Sequence, residues 1–147
     1  MTAVRVTVAR PEEWEEITEL RRVVFILEQG VPEEIERDDL DATALHAAAR
    51  DEAGTLIGTG RAVIDGGGPG VARVGRMAVA PSVRGRGVGA AVLSLLEREA
   101  AARGATRVLL HAQDHAIGFY AGAGYVPEGE PFTEAGIAHL AMARDLP

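Results

Sequence analysis

Residues 84–90, Arg84-Gly85-Arg86-Gly87-Val88-Gly89-Ala90, combine main-chain donors, fixed positive charge and little bulk. Those are the ingredients of a cradle for a phosphate or pyrophosphate. An apolar run, Met77-Ala78-Val79-Ala80, precedes them, and an amphipathic segment at 88–103 follows. The layout predicts a strand, a glycine turn and a helix start. A helix start leaves N–H groups without partners and carries roughly half an elementary positive charge. Gly85 and Gly87 tolerate positive φ and let a ligand approach the main chain. Gly89 clears a side chain from the first helical turn. The spacing alone also fits a flexible turn with two solvated arginines. Other phosphate-binding patterns fit poorly. No Gly-Lys-Ser/Thr follows, which excludes a nucleoside-triphosphate loop. The order Gly-x-Gly-x-Gly in mid-chain differs from the Gly-x-Gly-x-x-Gly of an early dinucleotide-binding βαβ unit.

The flanking chain must hold this turn in place. Residues 4–8 alternate as a strand does. Pro11, Glu12 and Glu13 suit a helix start. Trp14, Ile17, Leu20/Arg21, Val24 and Leu27 recur at helical spacing, predicting about four turns of helix. Gly30 and Pro32 end it, and 33–43 read as an acidic loop with a short helical turn. Strands at 45–50, 55–65 and 71–79 have short links and form an antiparallel meander. The second helix carries Val88, Ala91, Val92, Leu95 and Leu96 in one stripe and stops at Gly104. A buried strand at 106–112 must then return parallel to 71–79 through a right-handed crossover. A short helix at 116–123 and strands at 125–126 and 137–144 complete a mixed α/β sheet with helices on both faces.

Composition narrows the class. The 147 residues suit one domain, 1–147, with a single core. Without cysteine there is no disulfide, cysteine-ligated zinc or cysteine nucleophile, and without lysine there is no Schiff base. No metal is expected. A net charge of −7 disfavours a nucleic-acid binder. The chain lacks a membrane-length apolar run and a secretory core in residues 1–10, so a cytoplasmic protein away from membranes is expected. Arg73, Arg76, Arg84 and Arg86 cluster around the glycine turn in sequence. Acids gather at Glu28, Glu33, Glu34, Glu36, Asp38, Asp39 and Asp41, which reads either as a solvated loop or as a pole for a cationic partner.

The chain resembles the GCN5-related N-acetyltransferase (GNAT) superfamily. Arg84-Gly85-Arg86-Gly87-Val88-Gly89 matches its acetyl-CoA loop, Gln/Arg-x-x-Gly-x-Gly/Ala. Ala116-x-x-Phe119-Tyr120 followed by Gly124-Tyr125 matches its second motif, in the expected order. The chain is most similar to the ElaA-like branch, through Val24-Phe25-x-x-Glu28-Gln29, Glu36-x-Asp38-x-x-Asp41, His46, Gly75-Arg76-Met77-Ala78-Val79, Ala112-Gln113 and Phe132-x-Glu134-x-Gly136-Ile137-x-His139. Gln113 stands where many relatives carry asparagine. Many relatives also place a glutamate on the strand before the glycine turn, and residues 71–79 contain no carboxylate.

The resemblance implies a mostly antiparallel sheet with one splayed parallel pair, strands 71–79 and 106–112. It implies acetyl-CoA as cofactor. Main-chain groups of Met77, Ala78 and Val79 would pair with the pantetheine arm. Residues 85–90 (Gly85, Arg86, Gly87, Val88, Gly89, Ala90), preceded by Arg84, would take the pyrophosphate. Gln113, Ala116, Phe119 and Tyr120 would flank the arm. The reaction would be direct transfer of an acetyl group to a primary amine of a small molecule or peptide, in a ternary complex. Tyr120 would donate to the departing sulfur, and Glu28, His46, His111, Glu134 or His139, or an ordered water, would take the amine's proton. Phe25, Glu28, Gln29, Glu134 and His139 would border the acceptor, which the acidic stretch at 33–41 hints is cationic. Two other readings are a non-catalytic acyl-CoA-binding or regulatory module and an adenine-dinucleotide binder. A monomer or a homodimer would serve either way.

Overall fold

The computed structural model describes residues 3–147. Its strands are β1 (Arg5–Val8), β2 (Leu45–Arg50), β3 (Leu56–Val63), β4 (Val71–Val79), β5 (Arg107–Gln113), β6 (Val126–Pro127), β7 (Phe132–Glu134) and β8 (Ile137–Asp145). The helices are α1 (Trp14–Arg21), α2 (Glu33–Glu36), α3 (Val88–Ala102) and α4 (Ile117–Gly122). One sheet runs in the order β1-β2-β3-β4-β5-β8-β6, with β7 also paired to β8. Every pairing is antiparallel except β4 with β5. The meander and the parallel crossover are therefore as the sequence predicts.

Alternation along the strands assigns a helix to each face. Ala47, Ala49, Val74, Val108 and Leu110 share a buried cluster with Val88, Val92, Leu93 and Leu96 of α3. A Cβ on Gly58 would lie 2.6 Å from Val88 Cγ1, and one on Gly60 would lie 2.6 Å from Met77 Sδ. These two positions on β3 let the first turns of α3 settle against the sheet. Ala78, on the opposite face, packs with Leu20, Val24 and Phe25 of the first helix.

That first helix departs from expectation. The α-helical part ends at Arg21, and Arg22–Glu28 is a π-helix. Its wider turn changes the facing of the side chains. Phe25 is buried and Leu27, predicted inward, is 62% exposed. Strand β7 was not anticipated. A two-residue turn at Ala135 (φ 53°) and Gly136 (φ 75°) folds it back on β8, with Glu134 opposite Ile137. Positive φ at both turn residues is what a tight hairpin requires.

Part of the acidic stretch is tied up internally. Glu36 (2% exposed) takes two bonds from Arg21 (1% exposed), at 2.8 and 2.6 Å. Asp41 accepts from Arg21 and from Arg61 at 2.8 Å each, and Asp38 takes both terminal nitrogens of Arg61. Arg76 donates to the carbonyls of Glu36 and Ile35 and to Asp38. Three carboxylates of the stretch thus face three guanidiniums, while Glu33, Glu34 and Asp39 stay exposed. Arg76 also leaves the cluster assigned to the glycine turn. It sits at φ 50° in a bulge of β4, where the β3 register slips between Thr59 and Arg61.

Candidate active site at the strand fork

The parallel pairing of β4 with β5 runs from Val71↔Arg107 to Val74↔Leu110 and then stops. Beyond that point β4 continues through Val79 and β5 through Gln113. The fork leaves one edge of residues 75–79 without a strand partner. A missing ladder is a place where an amide-bearing ligand can pair with main chain as a strand would. The register slip and the bulge at Arg76 lie in this same segment.

The glycine turn stands at the far end of β4. Gly85 (φ 79°) and Gly87 (φ 82°) are both left-handed, and a Cβ on either would meet nothing within 4 Å. Conformation, not crowding, is therefore what calls for glycine there. The first main-chain N–H to find a carbonyl in the turn is that of Ala91, which donates to Gly87 at 3.1 Å. Gly87 caps α3 without a side-chain bond to the helix end. Residues 84–87 are exposed, so the unpartnered donors face solvent. Gly89 behaves differently: a Cβ there would touch the Phe119 ring at 3.4 Å and Val79 Cγ2 at 3.7 Å. Three segments, 77–79, 84–90 and 116–120, thus meet around one point. Arg84 is engaged elsewhere. It makes two 2.6 Å bonds to Glu28 and donates to the Val79 carbonyl at 3.2 Å.

Tyr120 is 8% exposed, and its ring lies 5.0 Å from Phe119 and 5.9 Å from Tyr125. Burial pushes its phenol up to about 12. Among the described residues its hydroxyl bonds to no protein group, yet it is not a sealed, unsatisfied atom. A phenol at about 12 is a poor acid toward a thiolate whose conjugate acid lies near 8.5. It suits hydrogen-bond donation better than full proton release.

The possible proton acceptors separate sharply. His46 lies on β2, opposite Arg61 of β3, away from the fork. Its Nε2 is 2.9 Å from the Asp41 carbonyl, its ring packs edge-on to Trp14 at 4.8 Å, and burial lowers its pKa. Glu28 is held as an anion by Arg84, which lowers its pKa and its value as a base. His111 is the first residue of β5 beyond the last pair with β4. Its Nδ1 lies 2.8 Å from Arg73 Nη2 and 3.0 Å from Glu134 Oε2, while Nε2 has no protein partner among the described residues. The His111 ring packs edge-on to Phe132 at 5.0 Å, and Phe132 stacks on His139 at 5.8 Å. His139 is buried, with Nδ1 2.7 Å from the Ile137 carbonyl. Gln113 and Gln29 exchange amide bonds of 2.8 and 3.1 Å, tying the end of β5 to the end of the π-helix. Of the residues named from sequence, His111, Glu134, His139, Gln29 and Gln113 gather on one side of the fork. Phe25 packs with Ala78 on that same face. Arg73 and Phe132 were not assigned to this group, and their strand positions alone could not place them there.

The whole arrangement is that of an acyltransferase. The sequence model of the Acetyltransferase (GNAT) domain matches residues 11–146, and the chain belongs to that family. YjcF of Bacillus subtilis, named an uncharacterized N-acetyltransferase, is 38% identical over 128 residues, covering 86% of this chain and 88% of its own. ElaA of Escherichia coli is 31% identical over 134 residues, 88% of this chain and 86% of its own, which supports the ElaA-like branch. The crystal structure of Escherichia coli ElaA superposes with a TM-score of 0.83 over 99% of this chain and 100% of that one, at 24% identity. A phosphinothricin acetyltransferase (Pat) from Sinorhizobium meliloti, solved in complex with AcCoA, shares the fold at a TM-score of 0.78 and 22% identity, over 97% of this chain and 88% of that one. No described helix is long and apolar enough to cross a membrane.

Proposed function

We propose that this protein transfers an acetyl group from acetyl-CoA directly to a primary amine, at the fork between β4 and β5. The observation that carries the reading is the joining of two features: a strand edge that loses its partner after Val74, and a turn, held open by left-handed Gly85 and Gly87, whose N–H groups find no acceptor among the described residues. The donors of residues 85–90 suit a diphosphate, with Arg86 adjacent. The free edge at Met77, Ala78 and Val79 suits an amide-bearing arm. Gln113, Ala116 and Phe119 would border it. Acetyl-CoA, when bound, supplies a thioester-activated acetyl carbon.

The remaining chemistry falls to the chain's own side chains. An alkyl ammonium must lose a proton before it can attack. His111 takes that proton at Nε2, provided Nδ1–H donates to Glu134 and orients the ring. The Val79 N–H is our candidate for polarising the carbonyl oxygen, and the Tyr120 hydroxyl donates a hydrogen bond to the departing sulfur. The chain contains no cysteine to carry an acyl intermediate, which favours direct transfer.

The test is release of free thiol from acetyl-CoA across a broad panel of primary amines. Amine-dependent thiol release is the expected result. A rise in melting temperature with coenzyme A, without thiol release from any amine, would mark a non-catalytic acyl-CoA-binding module instead. A melting shift with NAD and none with coenzyme A would overturn the cofactor assignment.

A further inference from the structure

Two neighbours make incompatible demands on one nitrogen of His111. A guanidinium only donates, so Arg73 Nη2 at 2.8 Å requires a bare Nδ1. A carboxylate only accepts, so Glu134 Oε2 at 3.0 Å requires Nδ1–H. Both bonds cannot exist together. The choice decides chemistry at the far nitrogen. With Arg73 bound, the neutral ring carries its proton on Nε2, which then cannot accept another. With Glu134 bound, Nδ1 carries the proton and the Nε2 lone pair is free.

Arg73 is itself unusual. Among the described residues it is the one arginine that is neither exposed nor within 4.0 Å of an acidic side chain. Arg21, Arg61, Arg76 and Arg50 all have carboxylate partners. A half-buried guanidinium whose recorded partner is a neutral ring nitrogen is a ready receptor for an anion. It stands on β4 opposite Leu109, two residues before the fork residue His111 on β5.

We infer that the acceptor is an amine that also bears a carboxylate, and that Arg73 is the residue that binds that carboxylate. This rests on the transferase reading above and narrows it. When the carboxylate takes the Arg73 N–H, Nδ1 loses its donor. The ring proton moves from Nε2 to Nδ1 through solvent, with no net change in protons, and Nδ1–H donates to Glu134. Nε2 then receives one proton from the acceptor's ammonium. The substrate's own charge thereby sets the tautomer that activates its amine. A neutral or purely cationic amine leaves Arg73 on Nδ1 and the base blocked.

Two measurements test this on the full chain. The first uses no turnover: ring 15N spectra of His111, assigned with a His111→Gln variant, are followed while acetate or acetamide is added at constant ionic strength in the presence of coenzyme A. Acetate is expected to convert the Nε2–H pattern to the Nδ1–H pattern, acetamide is not, and Arg73→Gln abolishes the acetate response. The second compares thiol release with glycine and glycinamide, and with 4-aminobutanoate and its carboxamide. The acids are expected to exceed their amides at least tenfold in kcat/KM, with a lower kcat as well as a higher KM for the amides, and Arg73→Gln collapses that ratio while Arg73→Lys restores part of it. Equal use of acids and amides leaves the transferase reading intact and overturns the carboxylate site. An acetate response at His111 without thiol release from any amine supports the site and overturns the transferase reading. No response to acetate together with no thiol release overturns both.

Discussion

In the proposed reaction His111 and Tyr120 would do opposite things with protons, and their surroundings differ accordingly. Among the described residues, His111 Nε2 has no protein partner at the fork. Tyr120 is enclosed until its phenol stays protonated to about 12. General-base help is worth about 10²–10⁴ in rate, so His111→Gln is expected to lower kcat by that order with little change in coenzyme A affinity, read by calorimetry. A donor aimed at developing charge contributes about 10²–10³. Tyr120→Phe should therefore lower kcat at least about tenfold, again with coenzyme A affinity nearly intact; an unchanged rate would remove the donor role. The role proposed for Tyr120 comes from its motif. His111 was one histidine among several, because strand membership does not say where a parallel ladder stops. His46 and Glu28 looked equally eligible until a carbonyl and an arginine claimed them.

At the scale of elements, the glycine turn and the buried charge network each have a measurable cost of disruption. Gly87 sits at φ 82° with open space around its missing Cβ. Gly87→Ala therefore adds backbone strain without a clash, about 1–2 kcal/mol. Coenzyme A affinity should fall by roughly 5- to 30-fold if the strain is relieved by leaving the bound-ready conformation. Arg21 joins the first helix to the 33–42 segment through Glu36 and Asp41. Removing one partner of a buried pair costs about 3–5 kcal/mol because the other charge is left unpaired. Asp41 keeps Arg61 and Glu36 keeps Arg76 at 3.6 Å, so Arg21→Met should lower unfolding stability by the lower end of that range, about 3 kcal/mol, in urea titrations. The glycine turn was legible because its residue types and order carry the chemistry directly. The π-helix was not. Its residues repeat well enough to predict an α-helix, whereas the folded chain takes a wider turn there, with Phe25 buried against Ala78 and Leu27 exposed.

For the molecule as a whole, the three-against-three charge network predicts how stability varies with pH. Hydrogen bonds from Arg61 hold the Asp38 carboxyl at about 2, below its ordinary 3.8. Between those values the unfolded chain binds more protons than the folded one, so this contribution is complete above pH 3.8 and lost as pH falls toward 2. Asp38→Asn should narrow the difference in urea midpoint between pH 5 and pH 2. Tyr120 works at the other end: its raised pKa contributes stability that is present below pH 10 and disappears as pH climbs to about 12. The antiparallel meander, the parallel crossover, the glycine turn and the family itself could be read from the chain, since each depends on local periodicity or on residue types at short spacing. The partners of the charged groups could not. Glu36 with Arg21, Asp38 with Arg61 and Arg73 with His111 are separated by 15, 23 and 38 residues. Which arginine faces an acid and which faces a histidine depends on how strands and helices stack, and that is decided only when the sheet is assembled.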